Sequence, residues 1–457
     1  MTVRQRCFIQ MLKLINYRCF PELVLNFHDR LTVFVAPNGG GKTAVLDGVA
    51  VALQLFVDRM AEQPGSKGFN TRDIRLALTP DNRMEAVTPV RLEAQGMLLD
   101  EPVVWSRQRQ SEEASRTTTA EAQALHRFAT RLVQQNQAWV KRENPVPPLF
   151  PLIAYYGTGR LWDMSRLTEG KRSGEATPNA RHRGYTDCLL SSSHYKYFVD
   201  WFRRFSYEAK QEEMESRASP HNPQLLLSVV QKAVNTVLSP SEWQGLEWDF
   251  VADTVRASHA SYGRLPVDSL SDGIRTMIGL VADIAHRAAR LNPHLGENAA
   301  IETPGIVLID EVDMHLHPEW QQLVLRSLLA AFPLVQFIVT THSPQVLTTL
   351  RKENIRILAC DENGKWTARE PATSPLARES GDALAYVMGT HPRPEIPCIL
   401  PDIHDYEQLA RAGRADSAQA RQIKERLDAA GYEFGDAEQA LFKFLAHKAA
   451  NATAKNL

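Results

Sequence analysis

Lys42 and Thr43 close a glycine-rich run, Ala36-Pro37-Asn38-Gly39-Gly40-Gly41, and that combination is suited to gripping phosphate. Consecutive glycines let backbone N–H groups turn inward around an anion without Cβ clashes. The lysine would reach the β- and γ-phosphates of a nucleotide, and the threonine hydroxyl is a hard oxygen ligand for Mg²⁺. Far along the chain the apolar run Gly305-Ile306-Val307-Leu308-Ile309 ends on two adjacent carboxylates, Asp310 and Glu311. Asp310 is expected to hold Mg²⁺ through water, and Glu311 to orient or deprotonate a water attacking the γ-phosphate. A third piece, Thr340-Thr341-His342-Ser343-Pro344, brings a histidine able to hydrogen-bond that phosphate. A fourth, Leu270-Ser271-Asp272-Gly273, opens a helix and forms a second anion site. One nucleotide touches two such distant helix N-termini only if another chain supplies the second.

The elements that must position these groups are legible around them. Leu31 to Val35 reads as a buried strand feeding the glycine loop, and a helix starts at Lys42, the context a phosphate loop requires. Ile306–Ile309 and Gln336–Val339 are uncharged and largely β-branched or aromatic, as parallel strands covered on both faces must be. The signature segment leads into a periodic helix from Ile274 to about Ala289, and Pro318 opens another predicted to run to Ala331. Asp313, His315 and His317 are better read as the turn before that helix than as metal ligands. A last strand pair, Ile355–Leu358 and Trp366–Ala368, is expected to finish the sheet.

Together these motifs resemble an ABC-type ATPase head of the SMC/RecF/OLD-like group, over roughly residues 1–60 and 260–360. The opening Ile9-Gln-Met-Leu-Lys-Leu-Ile-Asn-Tyr-Arg-Cys-Phe is similar to the first strand of such heads. One departure stands in the phosphate loop, where Ala36 occupies the position of the consensus glycine. Two further stretches, Gly184-Tyr185-Thr-Asp187-Cys188 with Tyr195–Phe202, and Gly381-Asp382 through Pro394, resemble the ATPase subunits of Septu-type, retron-associated anti-phage systems, with the PARIS-type ATPase a near neighbour. The resemblance implies an α/β fold: a P-loop head with a mixed, mainly parallel sheet and flanking helices. It implies ATP and Mg²⁺ as cofactors and a head-to-tail dimer, in which Asn38 to Thr43, Asp310, Glu311 and His342 of one copy face Ser271-Asp272-Gly273 of the other. It also implies a separately encoded nuclease partner, HNH-type, with DNA or a phage component as further candidates. The family's glutamine switch is left between Gln95 and the Tyr155–Arg160 segment.

The chain has 457 residues and a net charge of −1, so no overall basic field draws it to nucleic acid. The organisation expected is a phosphate-loop lobe at 1–60, remaining strands and a mostly helical insertion at 61–260, a C-terminal lobe at 261–376 and a helical module at 377–457. The insertion lacks sustained heptads, which excludes a long coiled coil. An acidic pair of the kind a cis nuclease needs is missing after 377. Segments 61–80 and 107–119 read as polar loops, and 165–182 as a basic loop, either a DNA or phosphate contact or a solvated surface. Five cysteines without a C-x-x-C pair fit a reducing cytosol, and no run approaches the ~18 apolar residues of a membrane span. A cytoplasmic ATPase is the expectation. The alternatives are a RecF-like DNA-repair ATPase and an ATP-bound scaffold with little turnover.

Overall fold

The computed structural model describes residues 5–61, 69–113, 122–159, 181–190, 195–215, 222–390, 396–397, 399–436 and 438–445. The chain forms two compact units, 1–390 and 391–457.

In the first unit, β1 (Cys7–Tyr17), β2 (Phe20–Asn26) and β3 (Leu31–Val35) lead to α1 (Lys42–Met60). A hairpin of β4 (Arg75–Leu78) and β5 (Met84–Val87) precedes β6 (Val90–Leu98) and β7 (Glu101–Arg109). Next come α2 (Gln123–Val140), β8 (Leu152–Tyr156), α3 (Tyr195–Glu215) and α4 (Pro223–Leu238). Strands β9 (Trp243–Asp249), β10 (Thr254–His259) and β11 (Gly263–Pro266) lead into α5 (Asp272–Leu291), the short α6 (Ala299–Glu302) and β12 (Gly305–Ile309). The rest is α7 (Pro318–Gln321), α8 (Val324–Ala331), β13 (Val335–Thr340), α9 (Pro344–Leu347), β14 (Ile355–Cys360), β15 (Trp366–Arg369) and α10 (Ser380–Tyr386).

The main sheet runs β15-β14-β3-β13-β12-β8. Its strands pair in parallel except β15, which closes one edge antiparallel to β14. Every residue of β3, β8, β12 and β13 is buried, which explains why their sequences carry no polar alternation. A second, antiparallel sheet runs β2-β1-β6-β7 and alternates buried with partly exposed positions. The two sheets are pinned by Gln336 of β13. Its amide accepts from the Ile9 N–H and donates to the carbonyls of Ile9 and His28, each at 2.9 Å. This occurs where β1 bulges between Ile9 and Met11, so one buried amide satisfies backbone groups the bulge leaves unpaired.

The region 61–260 holds strands β4 to β10 as well as helices α2 to α4. One expected helix needs adjusting. The predicted helix Pro318–Ala331 is two: a turn at Gln322-Leu323, with Leu323 N–H on the Trp320 carbonyl at 3.0 Å, separates α7 from α8. Of the basic loop, 165–180 lies outside the described residues, but Arg181 is no surface contact. Burial pulls its pKa down to about 10, and it donates to the carbonyls of Leu291 and Pro148 and to Asn136.

The aromatic face of α3 is core. Phe198, Trp201, Phe202 and Phe205 are buried, and the Trp201 ring stacks on His286 of α5 with centroids 4.1 Å apart. Among the described residues neither His286 nitrogen has a hydrogen-bond partner. Burial, reinforced by Arg290, lowers its pKa from 6.5 to about 3. Below pH 6.5 the unfolded chain takes up a proton that the folded chain refuses, so stability should fall with pH down to about 3. His286→Phe keeps the stack and should flatten the pH dependence of the urea midpoint by up to about 1.4 kcal/mol per pH unit. An unchanged slope between pH 7 and 5 would show that this histidine is not held neutral.

The second unit contains α11 (Leu400–Arg411), α12 (Ala418–Ala429) and a helical stretch at 438–445, around Tyr406, Leu409, Ile423, Leu427, Phe434 and Phe442. Asp402 is paired with Arg426 there, and no described cluster of His, Cys, Asp or Glu in the chain could hold a metal.

Candidate functional site

The groups singled out above gather at the C-terminal ends of adjacent parallel strands, where open α/β sheets bind ligands. The loop after β3 turns through Gly39 and Gly41, at φ 75° and 79°, a backbone region that favours glycine. A Cβ on Gly40 would stand 2.6 Å from that of Ala36, so the loop curls tightly even without the consensus glycine there. The first N–H groups of α1 have no intrahelical acceptor and face this loop. Nothing lies within 4 Å of a Cβ built on Gly39. The Lys42 amine is drawn back onto the carbonyls of Ala36 and Pro37, at 2.8 and 3.1 Å. Burial lowers its pKa, opposed by Asp310, Glu311 and Asp313. An incoming phosphate would supply both the charge and the acceptors that those carbonyls only partly provide.

The acidic pair is held with equal definition. Asp310, buried at the end of β12, accepts from the Thr43 hydroxyl on Oδ2 at 2.8 Å and from the Thr340 hydroxyl on Oδ1 at 2.5 Å. Thr43 and Asp310 thus present hard oxygen donors side by side, a set that fits Mg²⁺. Glu311 is less buried and has a left-handed backbone, φ 48°. For a non-glycine residue such a conformation costs about 1 kcal/mol or more and survives when neighbours enforce it. They do: the Glu311 N–H donates to the Thr340 hydroxyl at 2.7 Å, and the Val312 N–H to the Thr340 carbonyl at 3.0 Å. Asp313 accepts from the Thr341 hydroxyl and from the His342 N–H at 3.4 Å, tying the turn after β12 to the histidine segment after β13. Thr340 and Thr341 escaped notice as site residues, since their value lies in what stands beside them in space.

Ser271, Asp272 and Gly273 stand at the start of α5. Ser271 is the helix's N-cap residue, Asp272 pairs with Arg275, and a Cβ on Gly273 would meet the His315 carbonyl at 2.5 Å. The signature therefore packs on the turn that follows Asp313 in its own chain.

The two glutamine-switch candidates separate clearly. Gln95 is exposed on β6 of the antiparallel sheet, paired with Met11 and Val104. Residues Tyr155 to Gly159 instead leave β8 beside the acidic strand, with Asp310 N–H on the Tyr156 carbonyl at 2.8 Å; Arg160 lies outside the described residues. Burial pushes the Tyr155 hydroxyl pKa well up, and its hydrogen bond to Asp47 of α1 adds to the rise. Asp47 also pairs with Arg18 at 2.5 Å, and Arg18 with the buried Asp73 at 2.9 Å. The Gly184–Cys188 stretch braces the same strand. The Tyr155 N–H donates to the Cys188 carbonyl at 2.7 Å, while Arg287 holds the carbonyls of Gly184 and Thr186 and the carboxylate of Asp283.

Comparison with known proteins finds AAA-domain and ATPase relatives. The family described as "AAA domain" matches residues 11–219, and the one described as "AAA domain, putative AbiEii toxin, Type IV TA system" matches 166–348. The chain is 26% identical over 456 residues to the Retron Vc95 probable ATPase of Vibrio cholerae serotype O1 biovar El Tor, covering 90% of this chain and 85% of that protein. It is 40% identical over 102 residues to the Septu protein PtuA of Bacillus mycoides, covering 22% of this chain and 13% of that protein. Among solved structures, the SMC head domain from Thermotoga maritima aligns over 79% of this chain and 98% of that one, with a TM-score of 0.43 and 15% identity. No described helix is long and apolar enough to cross a membrane. In its motifs and sheet order the chain is similar to ABC-type ATPase heads of the SMC/RecF/OLD-like group, and in sequence to the retron and Septu proteins just named.

Proposed function

We propose that this chain is the ATP-binding and hydrolysing subunit of an anti-phage complex, and that it controls a separately encoded, HNH-type nuclease through ATP-dependent head-to-tail dimerisation. The observation that carries the reading is the cluster Thr43, Asp310, Thr340 and Glu311 beside a glycine loop whose lysine rests on the backbone carbonyls of Ala36 and Pro37. Bound Mg²⁺–ATP supplies the anhydride to be split and a cation that neutralises its oxygens. Amides of Gly39 to Gly41 and the Lys42 amine bind the phosphates, and Asn38 shapes the loop's entry. Thr43 and Asp310 would hold the metal. The Glu311 carboxylate orients the attacking water and accepts its proton, and His342 hydrogen-bonds the γ-phosphate. Ser271, Asp272 and Gly273 of a second copy close the site from the far side, so that assembly reports on nucleotide. The retron and Septu relatives support a defence role, and the near-neutral charge favours action through a partner over tight DNA binding by this chain.

Phage plating on cells carrying the native operon tests the whole reading. Wild type should reduce plaque counts and Lys42→Ala should not. Equal plating on both strains and on cells without the operon, across a broad phage panel, would move the repair reading ahead, and ATP-dependent, salt-sensitive DNA binding would then be the measurement to make.

A further inference from the structure

The order of the main sheet puts β13 between the phosphate-loop strand β3 and the acidic strand β12. Its last residue, Thr340, is fully buried there, and both its hydroxyl and its carbonyl hold the acidic turn. The hydroxyl donates its only proton to Asp310 Oδ1 at 2.5 Å and accepts the Glu311 N–H at 2.7 Å, while the carbonyl takes the Val312 N–H at 3.0 Å. One side chain thereby orients the carboxylate assigned to the metal and stabilises the left-handed turn that aims the carboxylate assigned to the water. Thr43 holds the other oxygen of the same carboxylate at 2.8 Å.

We propose that Thr340 is a positioning residue for ATP hydrolysis, setting the relative orientation of Asp310 and Glu311 without touching nucleotide; this rests on the function proposed above. The hydroxyl, rather than the shape of the side chain, is what matters. Valine has the same shape and neither bond, whereas serine has the bonds and lacks the methyl.

The test uses the full chain, mant-ATP fluorescence with and without Mg²⁺, and phosphate release. In Thr340→Val, mant-ATP affinity without Mg²⁺ should stay within about 3-fold of wild type. Phosphate release should slow roughly 10-fold or more, the expected effect of losing a hydrogen bond to a charged group, and half-maximal rate should need more Mg²⁺. Thr340→Ser should return both to within about 3-fold. Wild-type turnover and Mg²⁺ requirement in Thr340→Val would overturn the proposal. So would a serine variant as slow as the valine one, since packing of the methyl would then be the cause. If the valine variant loses cooperative unfolding, Thr340→Cys, a weak donor of similar size, takes its place with the same expectations. If wild type binds mant-ATP but releases no phosphate, the hydrolysis reading fails, and Thr340 is judged on binding alone. Loss of the Mg²⁺-dependent gain in affinity in the valine variant, kept in the serine variant, supports the positioning role; an unchanged gain overturns it. Absence of mant-ATP binding by wild type overturns both.

Discussion

Glu311→Gln should leave ATP binding intact and slow phosphate release by about 10²-fold or more, the scale expected for removing a general base. The substitution keeps the side chain's length and leaves untouched the N–H that the Thr340 hydroxyl accepts, so the left-handed turn survives. What it removes is the ability to take a proton from water. Steady-state phosphate release and mant-ATP titration on the same preparation separate the two effects. The variant should also accumulate the nucleotide-bound dimer, visible as a shift to larger mass in light scattering when ATP is added. Turnover at the wild-type rate would remove Glu311 from the catalytic role and leave the scaffold reading as the better one.

Lys42→Ala should weaken ATP binding by roughly 10²-fold or more, since two hydrogen bonds to a charged phosphate are each worth about 1.5–3 kcal/mol. The amine is buried and now rests on the carbonyls of Ala36 and Pro37, so its removal also frees those groups. Urea unfolding without nucleotide should show a loss of about 1–3 kcal/mol, because the buried Ala36 carbonyl loses its donor. Lys42→Arg is not a conservative control: a planar fork does not fit where a compact ammonium reaches two carbonyls on one turn. Full ATP affinity in Lys42→Ala would mean that the glycine loop is not the phosphate site.

The glycine loop and the acidic pair were readable because each is contiguous. Strand, turn and helix follow one another within Leu31 to Met60, and three consecutive glycines permit a curl that other residues would resist. Asp310 and Glu311 likewise follow an uninterrupted apolar strand, and a buried parallel strand must release its polar residues at its end. Phe198, Trp201, Phe202 and Phe205, three and four residues apart, form a buried helix face in the same local way. By contrast, β9 to β11 carry charges on their exposed positions and too few residues for periodicity to stand out. The break between α7 and α8 shows nothing in composition, since neither glycine nor an internal proline marks it.

Local order along the chain therefore specified the chemistry available: a phosphate cradle, two carboxylates and a histidine. Which groups act on one another was settled by the sheet. Thr340 matters because β13 lies between β3 and β12, and Gln336 matters because the same strand passes a bulge in β1. Tyr155 stands at the site, and Gln95 does not, because β8 pairs with β12 whereas β6 belongs to the other sheet. Strand order depends on which apolar faces bury one another across long loops, and no single segment encodes it. The gap between a list of reactive residues and a working arrangement is that pairing, which exists only once the chain has closed on itself.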